Sequence, residues 1–284
     1  MTLRPVVRIV RAEATSDGAG VRLHRSLGSR QLDHLDPFLL LDEFKSDDRS
    51  DYIAGFPDHP HRGFETVTYM LAGSMRHQDH RGNTGKLTAG SVQWMTAGRG
   101  IVHSEMPEQE DGLMWGFQLW VNLAARDKMQ EPRYQELPPS AIPEVTRPDG
   151  VRIRVVAGEV DGVRGAVTGI VTEPLYLDVA LPPRARVVHP VPAGHNACAY
   201  VFEGEAELGD PASGTARAVG AGSLAVFGPG DGVAVATAAS PVRFLLLAAR
   251  PLGEPVVRYG PFVMNSREEI IQAIQDYQAG TLAG

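Results

Sequence analysis

The 284-residue sequence predicts an all-β protein of two tandem antiparallel β-barrels with a short C-terminal helix. Three observations predict it. Apolar runs of strand length recur, each bounded by glycine or proline. The two halves repeat one another weakly. Only one segment, near the C-terminus, combines a helical period with helix caps.

Taken in order, PVVRIVRA (residues 5–12) alternates as a strand, and residues 21–30 turn back at Gly28. DPFLLLDEF (residues 36–44) reads as a buried strand between acids, and residues 45–54 as a polar loop. GFPDHPHRGFETVTYMLAGSMRHQDHRGNTGKLTAGSVQWMTAGRGIVHSEMP (residues 55–107) alternates apolar stretches with glycine turns, and LMWGFQLWV (residues 113–121) follows as another strand. Residues 137–150 hold four prolines and no period, which predicts a linker between a first domain at 1–136 and a second at 151–284. The second domain continues as short strand-like runs. Ser266 and Glu269 form a capping box, and Ile270, Ile271, Ile274 and Tyr277 make an apolar stripe, so a helix is expected over about 267–279.

Composition narrows the function. Net charge is −7, which disfavours a broad nucleic-acid-binding face, and no 18-residue apolar run predicts a membrane span. One cysteine, Cys198, excludes an internal disulfide and any zinc site of several thiolates. The start Met1-Thr-Leu-Arg-Pro has no apolar signal segment, so a soluble, cytoplasmic protein is expected.

The chemistry concentrates in two short pairs, His59-Pro60-His61 and His103-Ser104-Glu105. Residues i and i+2 of a strand share a face, so each pair presents two metal-binding groups together. A curled sheet brings both pairs to one interior, and three imidazoles and one carboxylate then converge on one ion. The plainer reading is four unconnected surface residues. The internal repeat argues against it. Tyr69-Met70-Leu71-Ala72-Gly73 aligns with Tyr200-Val201-Phe202-Glu203-Gly204, and Ala89-Gly90-Ser91 with Ala221-Gly222-Ser223. Carried through, His59 falls on Pro190, His61 on Pro192, His103 on Val235 and Glu105 on Thr237. The second copy thus keeps the turns and lacks all four groups.

The remaining histidines are read as structural or solvated. His77 and His80 lie in the polar stretch RHQDHRGNTG and are expected in solvent; His189 and His195 flank the altered positions of the second copy. Trp94, Trp115, Trp120 and Cys198 are expected in the core.

Gly55, His59, His61, Glu65 and Gly73 resemble the first cupin motif, and Gly90 through His103 the second. The spacing before His59 is two residues short, that after Glu65 one long, Thr96 replaces the usual proline, and His103 comes two residues late. Longer segments, GFPDHPHRGFETVTY, TGKLTAGSVQWMTAGRGIVHSEMP, FQLWVNL, EPRYQEL and GPFVMNSREEI, are similar to pirins. That resemblance implies a bicupin of two jelly-roll barrels, with one Fe(II) in the first barrel only, held by His59, His61, His103 and Glu105; Mn, Ni, Co, Cu or Zn are substitutes. It implies either a quercetin 2,3-dioxygenase, opening a flavonol with O2, or a non-enzymatic regulator that binds a transcription factor or metabolic enzyme. Glu105, a ligand with a second oxygen, is the expected base for the flavonol 3-hydroxyl. Glu65 is expected to support a ligand imidazole or to pair with a base such as Arg62. Because ligating imidazoles must be neutral, metal is expected to leave below about pH 6.

Overall fold

The computed structural model describes residues 1–212 and 214–283. Twelve strands precede residue 140: β1 Val6–Arg11, β2 Glu13–Asp17, β3 Val21–Leu27, β4 Phe38–Ser46, β5 Phe56–His61, β6 Phe64–Ala72, β7 Ser74–Asp79, β8 Thr84–Thr88, β9 Val92–Thr96, β10 Ile101–Pro107, β11 Met114–Asn122 and β12 Arg133–Leu137. They form where apolar residues alternate or run together, as expected for sheets with one or both faces covered. Among the described residues no helix is long and apolar enough to cross a membrane.

The chain makes two compact units, one of Glu13–Pro139 with Leu252–Gly284, the other of Met1–Ala12 with Ser140–Pro251. The first, which carries the expected ligands and is termed the ligand-bearing unit for that reason, has a seven-stranded sheet in the order β12-β9-β6-β11-β4-β3-β2 and a four-stranded sheet in the order β5-β10-β7-β8. All pairings are antiparallel, and both sheets are open sequences of strands rather than closed barrels. Val21, Leu23, Phe44 and Met70 from the larger sheet meet Met75 and Leu87 from the smaller one in a shared buried cluster. Burying a side chain of this size contributes about 1.5–3 kcal/mol. That inner layer fixes which faces of β5 and β10 look inward.

The second unit repeats the plan. Val242–Ala249 and Ser223–Phe227 flank Asn196–Leu208 as β11 and β9 flank β6. Registers agree: Tyr69 faces Val92, and Tyr200 faces Leu224. Gly73 and Gly204 take the same left-handed turn, with φ of 82° and 76°, a conformation open to glycine at little cost.

The domain limits differ from the simple division at 136 and 151. Strand β1 hydrogen-bonds along Ser223–Phe227 and takes the edge place that β12 takes beside β9. The N-terminus therefore completes the second unit. The C-terminal segment belongs instead to the ligand-bearing unit. Its hairpin, Val257–Tyr259 with Phe262–Met264, leads into helix α1, Arg267–Gln278. Ile270 and Ala273 of α1 pack on Phe262, Met264 and Leu282. Arg62, next to His61, ion-pairs with Asp276 at 2.6 Å. The helix starts with the expected capping box, Ser266 accepting from the Glu269 N–H at 3.2 Å and Glu269 returning to the Ser266 N–H at 3.0 Å. Residues 137–150 are not a free linker throughout, because Glu144–Thr146 pairs with Arg152–Ala157. Trp94 and Cys198 are buried as expected, and burial pushes the Cys198 thiol up to about 12.

Candidate metal centre

Strands β5 and β10 pair antiparallel with His103 opposite His59 and Ile101 opposite His61. The i, i+2 spacing puts His59 and His61 on one face of β5, and the register sets His103 against them. The ring centroids lie 4.5–5.0 Å apart. One ligand nitrogen of each residue lies within 4.8 Å of the others. His59 Nδ1 stands 2.8 Å from the Pro57 carbonyl, and an N–H donated there leaves Nε2 with its lone pair.

His61 and His103 are 2% and 1% exposed, and neither nitrogen of either ring has a well-formed hydrogen bond. The Pro261 carbonyl stands beside His61 without completing one. Burial drives both rings well below the ordinary histidine range, reinforced for His61 by His59 and His103, and for His103 by His59 and His77. Both are therefore neutral at physiological pH. Buried polar atoms without partners are costly, so a group that accepts these lone pairs is the natural completion. Imidazole donors suit a divalent d-block cation, and the three residues fit one.

Glu105 follows two residues after His103 and is 4% exposed. It stands outside the three-histidine cluster but in the same cavity. The pairing with β5 slips here, since Glu105 faces Phe56 where a regular ladder would continue in step from His59. Thr68 Oγ1 donates to Glu105 Oε1 at 3.0 Å and lies 2.6 Å from the Gln118 amide.

The cavity holds about 640 Å³. His59, His61, Glu105, Thr68 and Gln118 line one part of it, and Leu23, Leu40, Phe44, Phe56 and Met75 supply apolar wall. In the same lining Arg25 clasps Asp42, Nε donating to Oδ1 at 2.8 Å and Nη2 to Oδ2 at 2.7 Å. Burial raises the Asp42 carboxyl to about 6 against the pull of Arg25, which leaves it ionised at neutral pH. Trp120, expected in the core, instead lines this cavity, its ring 5.4 Å from His61.

Three expectations need correction. Glu65 does not reach the histidines. Phe64 and Thr68 of β6 face the site, so Glu65 points to the other face by strand alternation. There it accepts from Thr96 Oγ1 at 2.7 Å, and burial raises its carboxyl. His77 is not solvated. Strand β7 extends to Asp79, so its alternation turns His77 inward opposite Glu105, against the Glu136 carboxylate and 5.6 Å from the Tyr134 ring. His80, by contrast, is exposed.

The third correction concerns the second unit. In the first, His103 faces His59 and Glu105 faces His77; in the second, Val233 faces His189 and Val235 faces Leu208. Leu208 follows Gly204 by four residues, as His77 follows Gly73. The register therefore sets His189, not Pro190, at the place of His59, with Val191, Val233 and Val235 at those of His61, His103 and Glu105. One imidazole of the four groups persists. The sequence alignment missed this because the turn after the first of these strands and the turn before the second differ in length between the copies.

Thr68, Gln118, Arg25 and Asp42 were not singled out from sequence. Thr68 and Gln118 carried a usable signal, as polar residues within otherwise apolar strand runs. Arg25 and Asp42 face one another across β3 and β4, a pairing that only the register reveals.

Comparison with known proteins agrees with this architecture. The Pirin family profile matches residues 20–121, and the Pirin C-terminal cupin domain profile matches residues 176–283. A pirin-like protein of Caulobacter vibrioides is 51% identical over 281 residues, covering 99% of both chains. Pirin of Homo sapiens is 47% identical over 279 residues, covering 97% of this chain and 92% of that one. The crystal structure of a quercetin 2,3-dioxygenase from Acinetobacter baumannii superposes with a TM-score of 0.90 at 32% identity, covering 99% of both chains. With two cupin-type units, matching profiles over both and relatives along nearly its whole length, this chain belongs to the pirin family.

Proposed function

We infer that the ligand-bearing unit is a metal-dependent dioxygenase that opens a flavonol-type polyphenol with O2. The observation that carries this reading is the cluster of three imidazoles, two of them at the wall of a cavity large enough for a small aromatic molecule. The A. baumannii quercetin 2,3-dioxygenase supports the substrate class.

In this reading His59, His61, His103 and Glu105 hold one Fe(II), with Mn, Ni, Co, Cu or Zn as substitutes. When bound, the ion supplies Lewis acidity and a template for substrate and O2. The chain's own residues do the rest. Glu105 takes the proton of the flavonol 3-hydroxyl on the carboxylate oxygen that Thr68 leaves free. Thr68 holds the other oxygen, and the Gln118 side-chain oxygen lies 2.6 Å from the Thr68 hydroxyl. Leu40, Phe44, Phe56 and Trp120 exclude water from the aromatic rings.

Protein loaded with iron under anaerobic conditions should consume quercetin when O2 is admitted, followed by loss of the flavonol absorbance and by oxygen uptake. Glu105→Gln should lower kcat about hundredfold, with metal content measured in parallel falling much less. Well-metallated protein without turnover defeats the dioxygenase reading and leaves a metal-dependent binding protein, the regulator's role. Unchanged turnover in Glu105→Gln defeats the assignment of the base.

A further inference from the structure

Two arginines line the cavity, and their circumstances differ. Arg25 is saturated with acid. Beyond its two bonds to Asp42, its Nη2 also meets Asp17 at 2.8 Å. Arg258 comes from the other end of the chain, on the hairpin before α1. Its guanidinium lies 4.6 Å over the Trp120 ring, and that ring meets the His61 ring at 5.4 Å in a T-shaped contact. Among the described residues it makes this ring contact and no ion pair. Asp42 and Asp17 act on it from a distance, but both are engaged by Arg25, whose own charge repels it; Asp33 also pulls on it.

A guanidinium over an indole face still has N–H groups free to meet a carboxylate in a forked geometry. Arg258 is therefore a cation at the wall of a ligand cavity, without an acid of its own, one indole away from His61. The cavity wall also carries apolar groups, Leu40 and Phe44 among them, that suit an aromatic ring.

The geometry points to Arg258 as the anchor for an anionic substituent of the organic substrate. Among the phenolic ligands of that cavity, those with a metal-directed hydroxyl at one end and a carboxylate at the other are preferred over their uncharged counterparts. This rests on the proposed reading of the cavity as the substrate site. Arg258 is a positioning residue for specificity in this scheme, since it touches the remote end of the ligand. Its side chain is exposed in part, so the preference is modest and weakens with salt.

The test compares binding of 3,4-dihydroxybenzoate with its methyl ester, read by quenching of tryptophan fluorescence. It is done without O2 on metal-free and Zn(II)-loaded protein at low ionic strength. Wild type should bind the acid about tenfold more tightly than the ester. Arg258→Gln should bring the acid to the affinity of the ester while leaving the ester's affinity unchanged, which also shows that the cavity is intact. Arg258→Lys should retain part of the preference, having charge without the fork. An equal affinity for acid and ester in wild type overturns the inference, as does an acid preference that survives in Arg258→Gln. Binding needs neither turnover nor a redox-active ion. Absent quercetin turnover would therefore defeat the dioxygenase reading and leave this ratio to judge Arg258 separately.

Discussion

Across the β5–β10 pair His103 faces His59; across the matching pair of the second unit Val233 faces His189. The two sites share a strand plan and differ in what fills it. In the ligand-bearing unit these positions hold His59, His61, His103 and Glu105, and the ring nitrogens of His61 and His103 are buried without hydrogen bonds. In the second unit Val191, Val233 and Val235 join a single buried apolar cluster with Val187 and Leu208. One unit gathers three imidazoles and a carboxylate at these places; the other fills three of the four with valine. The difference teaches that the sheet supplies position only. Chemistry depends on three substitutions of valine-sized groups by polar ones, which a scaffold tolerates when something pairs with them.

The largest effect expected from this contrast is at the ligands. His103→Ala should weaken metal binding by more than about hundredfold, since even groups that merely support ligands cost tenfold to hundredfold. Elemental analysis after dialysis measures it. Retained stoichiometric metal would place the ion elsewhere and break the comparison.

Next comes the surviving imidazole of the second unit. His189 is 4% exposed, and burial, then the Arg147 charge, outweigh Asp161 and bring its pKa down to about 4. In the unfolded chain it protonates near 6.5, so the native state binds fewer protons between those limits. Its contribution to stability is full above pH 6.5 and is lost as pH falls toward 4, by at most about 3 kcal/mol. His189→Val should flatten the acid side of the stability curve in chemical denaturation of metal-free protein. An unchanged pH dependence would mean that this histidine is not held neutral.

The smallest effect on the metal is expected at Glu65. Glu65→Gln should leave metal content unchanged within about twofold and cost about 1 kcal/mol of stability through its bond to Thr96. A variant that loses its metal would show that the carboxylate supports the centre after all.

Much of this was legible before folding. The His59–His61 pair, the Gly73 and Gly204 turns and the Ser266–Glu269 box are local patterns, and each is found where the pattern placed it. His77 was misread because the polar letters around it conceal a period-2 burial pattern that runs to Asp79. The carried-over positions in the second copy were misread because Val187, Val188, Val191, Val233 and Val235 look alike in sequence. A slip of a residue or two among them changes nothing in composition and moves every side chain relative to its neighbours.

The sequence by itself determined the strands, the helix cap, the duplicated plan and the histidines that gather in one copy, because these follow from spacing along a regular backbone. Tertiary structure alone decided the rest. It sent β1 to the second unit and the C-terminal helix to the first, set Glu105 beside Thr68, turned Glu65 away, and brought Arg258 over Trp120. Those outcomes depend on hydrogen-bond register and on contacts between residues far apart in the chain, and no local period encodes them.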